Sequence, residues 1–185
     1  MNTEYRSLVL AAGEKFRLIP LDVSFNESLF EAIEESRDEL VRWTSWCHAQ
    51  YAMEDGRRWL QSRERCRFEG RAYDFAVTDA ITGELVGSCG VENIERQNRV
   101  GQLYYWTRNT RTREGAAFGA AQALTSFAFT SLQLIRLEIL VSEDNFVAQR
   151  IAEKIGASRE IRLRNRLILR GKIYHGYLFA LFPPE

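Results

Sequence analysis

Apolar positions along this chain recur at two periods, and the alternation of those periods predicts its elements. Leu8 to Leu10 and Phe16 to Ile19 read as an opening strand pair. Asn26 is placed to cap an acidic helix through Ser36, with Leu29, Phe30 and Ile33 on its inner face. A short helix follows toward Trp43. Met53 to Phe68 then reads as a charged amphipathic helix anchored by Trp59, Leu60 and Phe68. Strand periodicity returns at Phe75 to Thr78 and Glu84 to Ile94, a hairpin turning at Ile81-Thr82-Gly83. It continues at Val100 to Thr107. Glu114 to Ser131 is predicted as helix, because Phe118, Ala121, Leu124, Thr125 and Ala128 fall at helical spacing. Ile135 to Val141 reads as strand, Asn145 to Ile155 as helix, and Ser158 to Leu169 with Lys172 to Leu181 as a closing antiparallel pair. This order predicts an α/β chain with a mixed parallel and antiparallel central sheet flanked by helices, not a doubly wound parallel one.

No repeat or low-complexity segment interrupts the pattern. Prolines occur only at Pro20, Pro183 and Pro184, so no linker is marked and residues 1–185 read as one domain. Composition narrows the function classes. The 25 basic and 25 acidic residues balance, which gives a nucleic-acid partner no whole-chain electrostatic support. The three cysteines, Cys47, Cys66 and Cys89, are far apart and lack metal-ligand spacing, so no metal is predicted and a reducing cytoplasm is the simpler setting. No apolar run approaches membrane-spanning length, and the N-terminus lacks the pattern of a signal peptide. No membrane partner is expected, and a monomer or homodimer is.

The chemistry concentrates in Tyr104-Tyr105-Trp106-Thr107-Arg108-Asn109-Thr110-Arg111-Thr112-Arg113-Glu114-Gly115-Ala116-Ala117. A strand runs into a short polar turn and opens into an Ala-rich helix. The first turn of that helix has almost no side-chain bulk, so its free N–H groups are open to an anion, and Arg111 and Arg113 lie beside it. Close helix–sheet packing is the competing reading of Gly115-Ala116-Ala117, and a solvated surface that of the two arginines. A second strand leads to Ser142-Glu143-Asp144-Asn145 and a second helix ending at Glu153-Lys154-Ile155-Gly156-Ala157.

This order resembles the GNAT superfamily of acetyl-CoA-dependent N-acetyltransferases. Thr112-Arg113-Glu114-Gly115-Ala116-Ala117 resembles the family's pyrophosphate motif (Gln/Arg)-x-x-Gly-x-(Gly/Ala), with Thr112 where Gln or Arg is usual. Asn145, Ala148, Glu153, Lys154 and Gly156 follow its Asn-x-x-(Ser/Ala)-x-x-x-x-Glu-Lys-x-Gly pattern. Leu40 to Trp46 resembles the Leu-x-x-Trp-x-x-Trp region of RimJ/RimL-type transferases, which acetylate ribosomal-protein N-termini. Ile94-Glu95, Asn98-Arg99, Tyr105-Trp106 and Gly171-Lys172-Ile173-Tyr174-His175 match further stretches of that branch. The resemblance implies that acetyl-CoA is the cosubstrate. Its pantetheine would lie along the backbone of Tyr105, Trp106 and Thr107, its diphosphate on Thr112 to Ala117. Asn145 would bond the donor, or serve only as a helix cap. Trp43, Trp46 and Tyr104 would wall the acceptor pocket; the Trp pair reads equally as a lid packed on the sheet.

Two family positions that often carry a proton donor for the leaving thiolate fall on Ala148 and Ala152. A thiolate is a tolerable leaving group with a reference pKa near 8.5, so their loss does not rule out activity, though it leaves open whether activity is low or absent. Glu92 is the first candidate base, ahead of Glu95 and Glu138, because its strand faces the expected cleft. His175 reads as structural, since Gly176 stands where relatives have Asp. Cys89 reads as core, which disfavours a covalent acetyl-enzyme. The expected activity is direct acetyl transfer to a primary amine, foremost a protein or peptide N-terminal α-amine. The alternatives are a catalytically silent acyl-CoA-binding or regulatory protein and a small-molecule (antibiotic or polyamine) N-acetyltransferase.

Overall fold

A computed structural model describes residues 8–184 of the chain. Residues 1–7, where part of the signal-peptide reading falls, lie outside the described residues. In chain order the elements are β1 (Leu10–Ala12), β2 (Phe16–Pro20), α1 (Asn26–Glu35), α2 (Arg37–Trp43), α3 (Met53–Phe68), β3 (Tyr73–Asp79), β4 (Leu85–Glu95), β5 (Val100–Thr107), α4 (Ala116–Thr130), β6 (Arg136–Ser142), α5 (Phe146–Lys154), β7 (Ser158–Leu169) and β8 (Lys172–Leu181).

The strands form one sheet in the order β1-β2-β3-β4-β5-β6-β8-β7, antiparallel at every junction except β5–β6. That parallel junction requires a crossover, and α4 supplies it. The α4 face on the sheet is mostly small, with Ala116, Ala120, Ala121, Leu124, Phe127 and Ala128 buried. The β5–β6 pairing covers only Val100↔Arg136, Gly101↔Leu137 and Gln102↔Glu138. Beyond those pairs β5 stays bonded to β4 through Thr107, and β6 to β8 through Ser142. The two central strands therefore splay into a wedge that opens toward their C-terminal ends.

Strand alternation sorts side chains onto two cores. On the α4–α5 face, Phe75, Val77, Cys89, Val91, Leu103 and Ile139 pack with the helix alanines, and Tyr105 joins them. On the other face Ala76 and Leu85 pack with Leu29 and Ile33 of α1, Leu40 of α2 and Leu60 of α3, and Trp106 joins them. Neighbours Tyr105 and Trp106 thus serve opposite faces of the wedge.

Several boundaries differ from the periodicity. The first strand begins at Leu10, two residues later than read, and pairs Leu10 with Leu18. Asn26 is not the cap of α1. Asp22 caps a preceding 3-10 turn by accepting from the Ser24 amide at 2.8 Å, that turn runs on into α1, and Asn26 is buried in its first turn. The α4 helix begins at Ala116, not Glu114, because Arg113 and Gly115 both have positive φ. Asn145 caps α5 as read, its Oδ1 accepting from the Ala148 amide at 3.1 Å. Cys47 and Cys89 are buried free thiols, and Cys66 is half-buried and free. Among the described residues no helix is long and apolar enough to cross a membrane, and no cluster of His, Cys, Asp or Glu has the makings of a metal site.

Candidate active site

The mouth of the wedge is built from the segment after β5. Here Arg108 and Arg111 are spent on carboxylates. Arg108 donates through Nε to Glu35 at 2.8 Å, and its Nη1 reaches Glu84 at 3.0 Å. Glu35 also accepts from the Thr110 amide at 2.8 Å and the Thr110 hydroxyl at 2.7 Å. The Arg108 guanidinium leads in holding the Glu35 carboxyl down at about 2, against its burial. Ser36 accepts from the Asn109 amide at 2.9 Å. Arg111 is clamped by Asp79 at 2.7 Å, Glu114 at 2.9 Å and Glu84. Arg111 and Glu114, both read as donor-binding, are thus partners of each other. Their visible work is to fix the loop.

What remains open at the mouth is backbone. Gly115 sits at φ +90°, and a Cβ built on it meets no atom of the described residues within 4 Å. The amide of Gly119 is the first to bond back into α4, onto the Gly115 carbonyl at 2.9 Å. The N–H groups of Ala116 and Ala117 before it therefore start the helix without intrahelical acceptors. Thr112 turns its hydroxyl onto the Asn109 carbonyl at 3.1 Å. Arg113 is exposed, has left-handed backbone and makes no ion pair among the described residues. A shape open to an anion, lined by N–H groups with one free guanidinium beside it, fits a diphosphate. Across the wedge, the oxygen of Asn145 is used by the cap, which leaves its NH2 group for a ligand. The Ser142 hydroxyl at the end of β6 is buried with no hydrogen-bond partner among the described residues.

On the α1–α3 face a polar cluster occupies the sheet. Arg63 of α3 donates to Asp74 at 2.7 Å and to Glu92 at 3.2 Å. The Tyr104 hydroxyl donates to Asp74 at 2.8 Å and lies 3.4 Å from Ser88. Tyr104 fits because its cross-strand neighbour is Gly90, where a Cβ would stand 2.6 Å from the ring. Burial pushes the Asp74 carboxyl up, while the Arg63 and Tyr104 hydrogen bonds favour its ionised form. Asp74 is nearly inaccessible, whereas the Glu92 side chain is 33% exposed. Burial also pushes Glu92 up from its ordinary value, against the pull of Arg63. A reachable carboxylate raised toward neutrality, on the face where an acceptor would enter, has the properties of a base. The rival carboxylates are otherwise placed: Glu138 is bonded to Arg136 at 2.8 Å, and Glu95 lies exposed at the far end of β4.

The tryptophans separate. Trp46 packs 5.8 Å from Tyr51 and 6.3 Å from Trp106, centroid to centroid, and stays 42% exposed. Trp43 instead donates to Glu39 at 2.6 Å beneath the Arg42 guanidinium. The structure thus brings Trp46, Tyr51 and Trp106 together, while half-buried Trp43 keeps its polar contacts within α2. His175 accepts the Asn165 amide at 2.9 Å and pins a bulge of β7. Cys89 is fully buried, and burial pushes its thiol well up. Arg63, Asp74 and Tyr51 were missed by sequence reasoning, and Glu35, a candidate for an acidic acceptor cleft, instead tethers the loop after β5. Asp74 alone left a signal, a charge inside the apolar run Tyr73-Asp74-Phe75-Ala76-Val77.

Comparison with known proteins matches the same elements. The model of the acetyltransferase (GNAT) domain matches residues 16–158. The uncharacterized N-acetyltransferase p20 of Bacillus licheniformis is 29% identical over 117 residues, 63% of this chain, and the match spans only 66% of p20. RimL, the ribosomal L7/L12 alpha-N-protein acetyltransferase, in complex with coenzyme A, shares the fold at TM-score 0.89 and 18% identity, covering 95% of this chain and 98% of RimL. The microcin C7 self-immunity acetyltransferase MccE, in complex with acetyl-CoA and AMP, superposes at TM-score 0.86 with 15% identity, covering 93% and 94%. With the splayed β5–β6 pair and the open amides at Gly115, the family match means that this chain belongs to the GNAT acetyltransferases.

Proposed function

We propose that residues 1–185 act as one acetyl-CoA-dependent N-acetyltransferase domain, working in the cytoplasm on a primary amine, foremost a protein or peptide N-terminal α-amine. The reading rests on one arrangement. A wedge between β5 and β6 has open backbone amides at Gly115 on its rim and a half-exposed Glu92 on the sheet face turned to α1–α3. The amides of Ala116 and Ala117, with Arg113, hold the diphosphate, and the NH2 group of Asn145 bonds the donor from the other wall. The splayed edge of β5 pairs with the pantetheine amides. Trp46, Tyr51 and Trp106 wall the acceptor, and Glu92, directly or through water, takes the proton the amine sheds as its nitrogen bonds to the acetyl carbon.

The α-amine is favoured by its own chemistry. With a pKa near 7.8 it is roughly one-tenth neutral at pH 7, against about one lysine in a few thousand. A single carboxylate raised by burial suffices for the first and is weak for the second. RimL, named for α-N-protein acetylation, supports this acceptor class. MccE, seen with AMP, favours a small-molecule acceptor on the same fold as the second reading.

Two measurements test the proposal. Millimolar CoA or acetyl-CoA is expected to raise the melting temperature, since about 100-fold excess over Kd adds about 2.7 kcal/mol. Gly115→Asp, which puts a side chain and a charge in the open space above the amides, is expected to remove that rise while the protein still melts cooperatively. Thiol release is then followed with N-terminal peptides, polyamines, aminoglycosides and no amine. Release only with small amines moves the function to the second reading. Binding without release on any amine leaves a silent acyl-CoA-binding protein.

A further inference from the structure

Departure of the thiolate is the step for which α5 offers no side chain. Its residues toward the core are Ala152, which is fully buried, and Ala148 and Ile151, which pack against it with Ile155 just beyond the helix, and none of these side chains has a polar group. Gln149 is occupied, its Nε2 donating to the carbonyls of Ser142 at 3.1 Å and Glu143 at 2.9 Å. Ser142 is no substitute on this wall. Val141 packs into the α4–α5 core, so the next residue on the strand points to the opposite face.

One hydroxyl does reach the place. Tyr105 lies on β5 three residues beyond Gln102, the last residue paired with β6, and therefore on the wedge. Its ring packs in the α4–α5 core, and its hydroxyl donates to the Ala148 carbonyl at 2.9 Å. Ala148 and Ala152 are one helical turn apart on one face, and their small side chains leave room for a phenol arriving from the strand. The Ala148 carbonyl also has a partner in the helix, the amide four residues on. The Tyr105 O–H is thus free to turn to a better acceptor without leaving a buried carbonyl unpaired.

We propose that the Tyr105 hydroxyl is a further catalytic residue, the hydrogen-bond donor that receives the departing CoA sulfur. This rests on the acetyltransferase reading above. In the step, the amine nitrogen bonds to the acetyl carbon and the carbon–sulfur bond breaks, its electron pair leaving on sulfur. The Tyr105 O–H turns from the Ala148 carbonyl to that sulfur. The proton lost by the amine goes to Glu92 or water, and the thiolate is protonated from water on release. Burial pushes the Tyr105 phenol above its ordinary value, well clear of a thiol near 8.5. Tyr105 therefore keeps its proton and acts as a donor to a charged acceptor, a contact that alters rates about 10- to 100-fold.

The test uses Tyr105→Phe, which keeps the ring and removes only the oxygen. Bound CoA is titrated by its thiolate absorbance in the parent and in the variant, which needs no turnover. The bound thiol is expected to become about tenfold less acidic in Tyr105→Phe, a change that a packing role does not produce. With the best amine, kcat is expected to fall about 10- to 100-fold with the KM for acetyl-CoA within about twofold. The double variant Tyr105→Phe/Ala148→Ser brings a hydroxyl back from the helix side and is expected to recover part of the loss. An unchanged thiol titration in a folded Tyr105→Phe protein overturns the assignment, whatever happens to kcat. A parent that binds CoA and shows the shift, but acetylates nothing, retains the contact and refutes the acceptor reading alone. A parent that binds no CoA overturns both.

Discussion

Glu92 occupies an unusual position for a carboxylate on a sheet face. Its partner Arg63 is shared with the more deeply buried Asp74, which takes the shorter bond, 2.7 Å against 3.2 Å. Glu92 is consequently the less neutralised of the two and the one a substrate can touch. A base works in its ionised form, so kcat/KM is expected to fall as the pH drops through the raised Glu92 value. Above that value it is expected to keep rising with pH as more α-amine loses its proton. Glu92→Gln is expected to lower kcat by about 10²-fold and to leave an acid limb set by the amine alone. The fold is expected to survive, because Arg63 keeps Asp74. A pH–rate profile of the two proteins with one N-terminal peptide checks this, and identical profiles remove Glu92 from the mechanism.

The segment between β5 and α4 is held from outside itself. Its amides and guanidinium groups converge on Glu35 and Ser36, at the end of α1 and just beyond it, while Asp79 and Glu84 grip Arg111 from the β3–β4 hairpin. A helix on the proposed acceptor face thereby sets the rim of the proposed donor site. The Glu35 carboxyl is depressed to about 2 from 4.5 in the folded protein. Its contribution is therefore complete above about pH 4.5 and is lost as the pH falls from there toward 2. Glu35→Gln is expected to cost about 1–2 kcal/mol at pH 7, a figure reduced for solvent screening, and to cost progressively less below pH 4.5. Urea unfolding at pH 7 and pH 3 measures both ends. The same variant is expected to weaken CoA binding several-fold, because the loop that presents Gly115 loses its tether; equal affinity in a destabilised variant shows that the loop holds its shape unaided.

At the scale of the sheet, the described residues of β5 and β6 pair over three positions and then part for the rest of their length while both strands continue. Each strand is supported on its outer side, β5 by β4 and β6 by β8, so the opening is a built gap between two stiff ribbons. The β5 amides that face β6 beyond Gln102 have no strand partner, whereas those at Val100 to Gln102 do. Hydrogen exchange is expected to be fast at the former and slow at the latter in the free protein. Saturating CoA is expected to slow the outer β5 amides and leave Val100 to Gln102 unchanged. Protection appearing instead at β7–β8, with β5 untouched, moves the donor site to another place.

The order of elements, the α5 cap at Asn145 and the open glycine at 115 were legible in the linear chain, because each depends on residues within one or two turns of one another. Periodicity reports which face of a segment is buried, and a cap or a Gly reports a local dihedral or hydrogen bond. The place where β5 and β6 part was implied only by the family resemblance, which set the donor along Tyr105 to Thr107, and not by periodicity, since Leu103 to Thr107 keeps its strand pattern beyond the last pair at Gln102. The choice of Trp46 over Trp43 to face Trp106 was not legible, because it depends on how α2 lies on the sheet. Arg111 beside a glycine loop read as a phosphate ligand until three carboxylates from the β3–β4 hairpin and its own loop closed on it. Arg63, Asp74, Tyr104 and Glu92 come from four elements whose registers bring them into contact, and the Tyr105 hydroxyl meets α5 across a crossover. Those contacts join residues 11 to 43 positions apart. Packing of whole faces decides them, and no local rule along the chain records which residue will be opposite which.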